Sequence, residues 1–171
     1  MSTPLDSVRE LIESGPLAHL VTVNHDGSPQ VTIVWVGIEE DEVVSGHLYR
    51  HRKVQNIERD PRVCIEIDEH EGVFDYGQFE CDSGLAYRSI CLFGRIRVVG
   101  DTGIKQRFCE TLMAKYGKPD TIRPKGFFPR IDGITVYAIA VERMTGKEMA
   151  LPQLSEQWPA KDRTKTPNAR P

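Results

Sequence analysis

Long apolar runs are missing from this chain of 171 residues. No uncharged stretch approaches the ~18 residues that a membrane-spanning helix requires, so no span and no membrane partner are expected. A basic and then apolar leader is missing as well. The opening MSTPLDSVRELIES carries Asp6, Glu10 and Glu13 instead, so no signal peptide is expected and the cytoplasm is the default compartment. Nor is there an excess of one charge. Against 25 Asp+Glu stand 22 Lys+Arg, a net charge of −3, which argues against a nucleic-acid partner and against an acidic disordered chain. The 4 cysteines, at 64, 81, 91 and 109, form no CxxC pair and match no zinc pattern. Free thiols are expected, with Cys64 and Cys91 packed as small apolar side chains. Glycine-rich dinucleotide and phosphate-loop fingerprints are absent, and so is a nucleophile elbow. His47 and His51 are four apart, but in and beyond a strand that spacing spans about 13 Å, so no metal site is expected.

Proline is missing between Pro61 and Pro119, and glycine is missing after Gly146, while Pro152, Pro159, Pro167 and Pro171 crowd the end. Residues 1–151 therefore read as one domain and 152–171 as an extended tail. Within the domain, Ser2 or Thr3 can cap a first helix with Leu5, Val8, Leu11 and Ile12 on one face, ending at Gly15. The period then changes to two. Strands are expected at 17–23 and 29–36 around the hairpin signal Asp26-Gly27, and at 42–49 after an acidic turn. Residues 31–36 form a nearly continuous apolar run, the pattern of a strand covered on both faces.

Further strands are expected at 62–68, at 86–100 with Ile90, Leu92, Ile96 and Val98 on one face, and at 132–144. Between the first two, 69–84 reads as a loop or loose hairpin. Thr145-Gly146-Lys147 reads as a turn. A helix after Asp101 or Thr102 carries Ile104, Phe108, Leu112, Met113 and Tyr116 on one face, with Gly117 past its end. Hairpins dominate and no βαβ rhythm appears. The expected fold is mainly β, an antiparallel six-stranded β-barrel with peripheral helices.

Chemistry concentrates at Arg50-His51-Arg52-Lys53, where the third strand runs into a short helix (50–60). Cations at a helix start oppose the helix dipole and its free N–H groups, which favour an anion. Arg50, Arg52 and Lys53 make sense there if a phosphate is bound, Arg as a fork and Lys as a point charge. The alternative is a solvated face pairing with Glu58, Asp60 or the acidic turn.

The segments "TVNHDGSPQV", "VWV" and "RHRKVQNIERDPRV" resemble the pyridoxamine 5′-phosphate oxidase-like split-barrel superfamily over roughly 16–67. They are most similar to its branch of coenzyme F420-dependent oxidoreductases. YRSICLFGRIRVV (87–99) and MTGKE (144–148) are similar to nitroimidazole-resistance flavin-binding relatives. The resemblance implies a homodimer with a flavin-type cofactor at the interface, coenzyme F420 or alternatively FMN, and hydride transfer with a small-molecule substrate. A non-catalytic flavin or haem carrier, with His19, His47, His51 or His70 as haem ligand, shares the same barrel.

The resemblance further implies that Arg50, Arg52 and Lys53 hold the cofactor phosphate. Thr32, Ile33, Val34 and Trp35 would lie along the ring, and Ser45 and Gly46 against the ring or its chain. Arg88 would reach the other subunit's cofactor. Gly46 equally fits a strand bulge, Trp35 ordinary packing, and Arg88 a salt bridge to Asp82 or Glu80. The arginine and histidine pattern with which pyridoxamine phosphate oxidases grip substrate near their C-terminus is absent, so pyridoxamine phosphate is not the expected substrate. The long acidic segment 69–84 departs from the simpler deazaflavin enzymes and leaves the substrate class open.

Overall fold

A computed structural model describes residues 8–14, 17–48, 52–75, 79–118, 122 and 124–151. The expected tail 152–171 and the helix cap at Ser2 or Thr3 lie outside them. The chain divides into two compact units. One runs to Ile67 and takes up again from Ile90 to Thr145; the other holds Asp68–Ser89 and the residues after Thr145. No helix among the described residues is long and apolar enough to cross a membrane.

In the first unit α1 (Arg9–Ser14) buries Leu11 and Ile12. β1 (Ala18–Val23) alternates buried and half-buried residues, as a strand with one face on the core must. The Asp-Gly signal yields the expected hairpin. β2 (Pro29–Val34) pairs antiparallel with β1 from Ala18↔Val34 to Val23↔Pro29, and Gly27 takes φ +83° in the turn. The expected strand 29–36 is interrupted at Trp35. Its continuation, β3 (Val36–Glu39), leaves β1 and pairs with β4 (Glu42–Leu48), from Val36↔Ser45 to Glu39↔Glu42.

That break explains the architecture. β5 (Arg62–Asp75), β6 (Ser83–Val99) and β7 (Ile134–Met149) complete a seven-stranded sheet of order β2-β1-β5-β6-β7-β4-β3. Its two end strands, β2 and β3, are consecutive in the chain and separated only by Trp35, so the sheet closes on itself. The fold is a mainly β barrel, as expected, with seven strands because the closing strand bends and changes partners.

The interior is filled by Leu20, Val43, Ile65, Ile67, Leu92, Ile96, Tyr137 and Ile139, all buried. Full burial of each aliphatic side chain contributes about 1.5–3 kcal/mol. A second cluster lies between the barrel and α3 (Thr102–Tyr116), where Val44, Val136 and Ala138 meet Phe108, Cys109 and Leu112. The expected cap is Asp101, whose carboxylate accepts from the Ile104 N–H at 2.8 Å. Gly117 ends the helix in extended backbone; a Cβ there would lie 2.3 Å from the Met113 carbonyl oxygen. β6 departs from strict alternation. Arg97 and Val98 are both exposed and Val99 is buried with Phe108, so Val98 leaves the face expected for it.

In the second unit the expected loop 69–84 is largely strand. β5 continues to Asp75 and β6 starts at Ser83, a longer and more regular hairpin than the three glycines imply. Phe74 is buried over Gly84, where a Cβ would lie 2.7 Å from the ring. The expected turn at 145–147 is also strand, since β7 runs on to Met149.

Candidate functional site

β4 delivers the chain toward α2 (Arg52–Arg59), as the sequence implies. Arg50 lies outside the described residues. Arg52 opens the helix. An eight-residue helix has little stability of its own and is held by what it buries. Val54 and Ile57 enter the core, and two polar residues are buried beside them, Lys53 and Asn56, each 5% exposed.

Asn56 is tied to the end of the first hairpin. Its Nδ2 lies 3.2 Å from Thr22 Oγ1, 3.0 Å from Asn24 Oδ1 and 3.0 Å from Gln30 Oε1. Two amide protons thus serve three acceptors. Register explains the convergence, because Thr22 pairs with Gln30 immediately before the turn. Asn24 Nδ2 in turn donates to Ser28 Oγ at 3.1 Å, and an Arg59 guanidinium N–H donates to the Val23 carbonyl.

Lys53 differs from every other basic residue discussed below. No hydrogen-bond or ion-pair partner for it is found among the described residues, and burial pushes its ammonium below the usual lysine range. The carboxylate just past the far end of α2 belongs to Arg62. Asp60 accepts from Arg62 N–H at 3.1 Å, Nε at 3.0 Å and Nη2 at 2.7 Å, which holds its carboxyl down at about 2. Asp60 is thus the counter-ion of Arg62.

The residues expected along a ring divide between two faces. Val31 and Ile33 are 61% and 60% exposed, and Trp35 is 42% exposed, whereas Val34 is in the core and Thr32 shares its side of the strand. Trp35 stacks on Tyr116 with centroids 4.7 Å apart and planes at 10°. Across the sheet Val31 and Ile33 continue into Val21 and His19 of β1, and then into Cys64 and Glu66 of β5. His19 Nδ1 and Glu66 Oε2 are 3.0 Å apart, and burial pushes the Cys64 thiol up to about 11. This outward face is thus apolar along Val31, Val21 and Cys64 and polar at the His19–Glu66 pair beside Ile33.

Ser45 is buried in β4, beside Val36. The flat ring against Gly46 is the chain's own: a Cβ there would lie 2.5 Å from Phe108 Cε1. Arg88 belongs to the second unit, where its Nε donates to Glu69 Oε1 at 2.7 Å and its Nη2 contacts the same oxygen. Neither Asp82 nor Glu80 is that partner. Of the histidines, His47 stacks on Tyr137 at 5.3 Å, His70 is exposed in the second unit, and His51 lies outside the described residues.

The structure thus sets Lys53 one helical turn before Asn56, which gathers Thr22, Asn24 and Gln30. Thr22, Asn24 and Gln30 were not singled out from the sequence as site residues. The signal was present in the Asp-Gly turn, which sets Thr22 opposite Gln30, but nothing local placed α2 over that pair.

The family model for pyridoxamine 5′-phosphate oxidase matches residues 5–148. No curated protein matches the sequence. Among solved structures, a flavocytochrome from Azotobacter vinelandii is similar at 20% identity and TM-score 0.70, over 88% of this chain and 70% of the other. An FAD- and haem-binding protein from Mycobacterium smegmatis is similar at 20% identity and TM-score 0.69, over 91% and 77%. An F420 reductase is similar at 21% identity and TM-score 0.57, over 80% and 94%. These three share the barrel, and with the family match over most of its length the chain belongs to the pyridoxamine 5′-phosphate oxidase family.

Proposed function

We propose that this protein is a homodimeric oxidoreductase that binds the phosphate of a flavin-type cofactor, coenzyme F420 in preference to FMN, at the start of α2. The observation that carries the reading is Lys53, a buried cation with no partner among the described residues on the first turn of a helix. A buried charge left without a counter-ion is costly, and a phosphate at a helix start relieves that cost. Arg52 and Arg50 add charge from the adjoining sequence. The exposed apolar row of Val31 and Ile33 supplies a surface that a flat ring and a second copy of the chain can cover together.

When bound, the cofactor supplies hydride chemistry toward a small electron-poor substrate. The chain's own residues bind, orient and exclude water. Lys53 holds negative charge, and the β2 face removes one side of the ring from solvent. The similarity to an F420 reductase and to flavin-binding proteins supports this class of cofactor.

Titration of the purified protein with F420, FMN and haem separately, followed by absorbance and fluorescence, tests the reading. Binding of F420 that Lys53→Ala abolishes, together with a dimeric mass in solution, is the expected result. Binding of none of the three overturns the proposal. Cofactor binding without reduction of any electron-poor acceptor converts it to a carrier.

A further inference from the structure

The Asn56 side chain reaches three residues of the first hairpin, and its engagement has a particular chemistry. Its amide meets three oxygens, from Thr22, Asn24 and Gln30, at 3.0–3.2 Å, and both Asn56 and Thr22 are buried. Every member of this cluster is uncharged. Lys53 lies three residues earlier on the same side of α2, within reach of position 56 on a helix. An aspartate at 56 would have the same shape and would satisfy the same site. The Gln30 amide can rotate to present its NH₂ group to it and the Thr22 hydroxyl can turn to donate, while Asn24 keeps its NH₂ on Ser28 Oγ. It would also give Lys53 a counter-ion.

We propose that Asn56 is a positioning residue that joins α2 to the β1–β2 hairpin through neutral donors, so that Lys53 is held in place and left without an internal counter-ion for an incoming phosphate. This inference rests on the phosphate reading of the Lys53 site and adds the group that sets its affinity. The amide accomplishes two tasks that a carboxylate or an alkyl group cannot combine. It donates to the buried Thr22 hydroxyl oxygen and to the part-buried oxygens of Asn24 and Gln30, and it adds no charge beside the ammonium. The lowered basicity of Lys53 is the accompanying sign of an ammonium kept without a counter-ion.

The test compares Asn56→Asp with wild type in two measurements. One is the affinity for F420 and for FMN at neutral pH. The other is the titration of the Lys53 ammonium followed by NMR in the cofactor-free protein. In Asn56→Asp the affinity for the cofactor that wild type binds is expected to fall at least tenfold, and Lys53 to titrate at higher pH, with the melting temperature little changed. Gln30→Glu is the second variant, because Asn56 can still donate to the new carboxylate. It is expected to move both readouts in the same direction, and it decides the matter if Asn56→Asp fails to fold. Unchanged Lys53 titration in the folded variant overturns the inference, whatever the affinity does, since a carboxylate facing the ammonium must raise its pKa. An affinity within twofold of wild type likewise overturns it. If wild type binds neither cofactor, the phosphate reading fails, while the Lys53 titration still judges the role of Asn56.

Discussion

Two cations mark the two units of this molecule, and they are treated oppositely. Arg88, in the second unit, is partly exposed and spends its guanidinium on Glu69. Lys53, in the first, is buried and has no partner among the described residues, and the polar residue one turn on, Asn56, is a neutral amide. Folding alone favours the first arrangement, because an exposed pair costs little and contributes a little. The second is unfavourable for folding and is retained where the charge has another use. In the sequence both were candidates, Lys53 from its place at a helix start and Arg88 through the resemblance.

The contrast can be broken most directly by removing the cations. Lys53→Ala with Arg52→Ala is expected to weaken cofactor binding by at least a hundredfold, about 3 kcal/mol or more, since each charged hydrogen bond contributes ~1.5–3 kcal/mol. Isothermal titration measures it, and unchanged affinity would place the anion site elsewhere.

The pH dependence comes next. Because burial lowers the folded-state pKa of Lys53 from 10.5, the ammonium is lost on the alkaline side before an exposed lysine would lose its proton. Cofactor affinity should then fall as pH rises through that lowered value, by up to about tenfold per unit. Folding stability changes with the opposite sign. The unfolded chain holds the proton up to 10.5, so the destabilisation due to Lys53 lessens as pH rises through the lowered folded value. A binding and melting series at alkaline pH reads both, and parallel slopes would contradict the assignment.

A smaller effect separates folding from binding. Lys53→Met is expected to raise the stability of the cofactor-free protein by about 1 kcal/mol while reducing affinity, because an apolar side chain replaces a buried charge. A drop in melting temperature would show that Lys53 is paired. The smallest expected effect is at the other cation. Arg88→Ala should cost about 0.5–1 kcal/mol in chemical denaturation through the loss of an ion pair that water partly screens. If it reduces cofactor affinity more than Lys53→Ala does, the ranking of the two cations is reversed.

Much of the fold was legible because it rests on local patterns. Asp26-Gly27 signals a hairpin by turn chemistry, Asp101 caps α3 as its residue type predicts, and the alternation in 18–23 marks a strand with one buried face. Where local pattern and closure compete, closure prevails. Residues 31–36 look like one strand covered on both faces, but a barrel requires that chain to leave β1 for β4, and Trp35 is the point of departure. Glycine composition misled at 69–84, where Phe74 packed on Gly84 stabilises a hairpin that a count of glycines reads as loop.

By itself the sequence determined a mainly β domain and a cluster of cations where a strand meets a short helix, because periodicity, turn residues and charge are properties of neighbouring residues. Only the tertiary structure decided which cation keeps its charge unspent. That choice depends on Glu69 meeting Arg88 from a neighbouring strand, and on α2 settling over the first hairpin, where Asn56 meets Thr22, Asn24 and Gln30. Such pairings join residues that lie 19 to 34 positions apart, and no local pattern encodes burial and partnership across that distance.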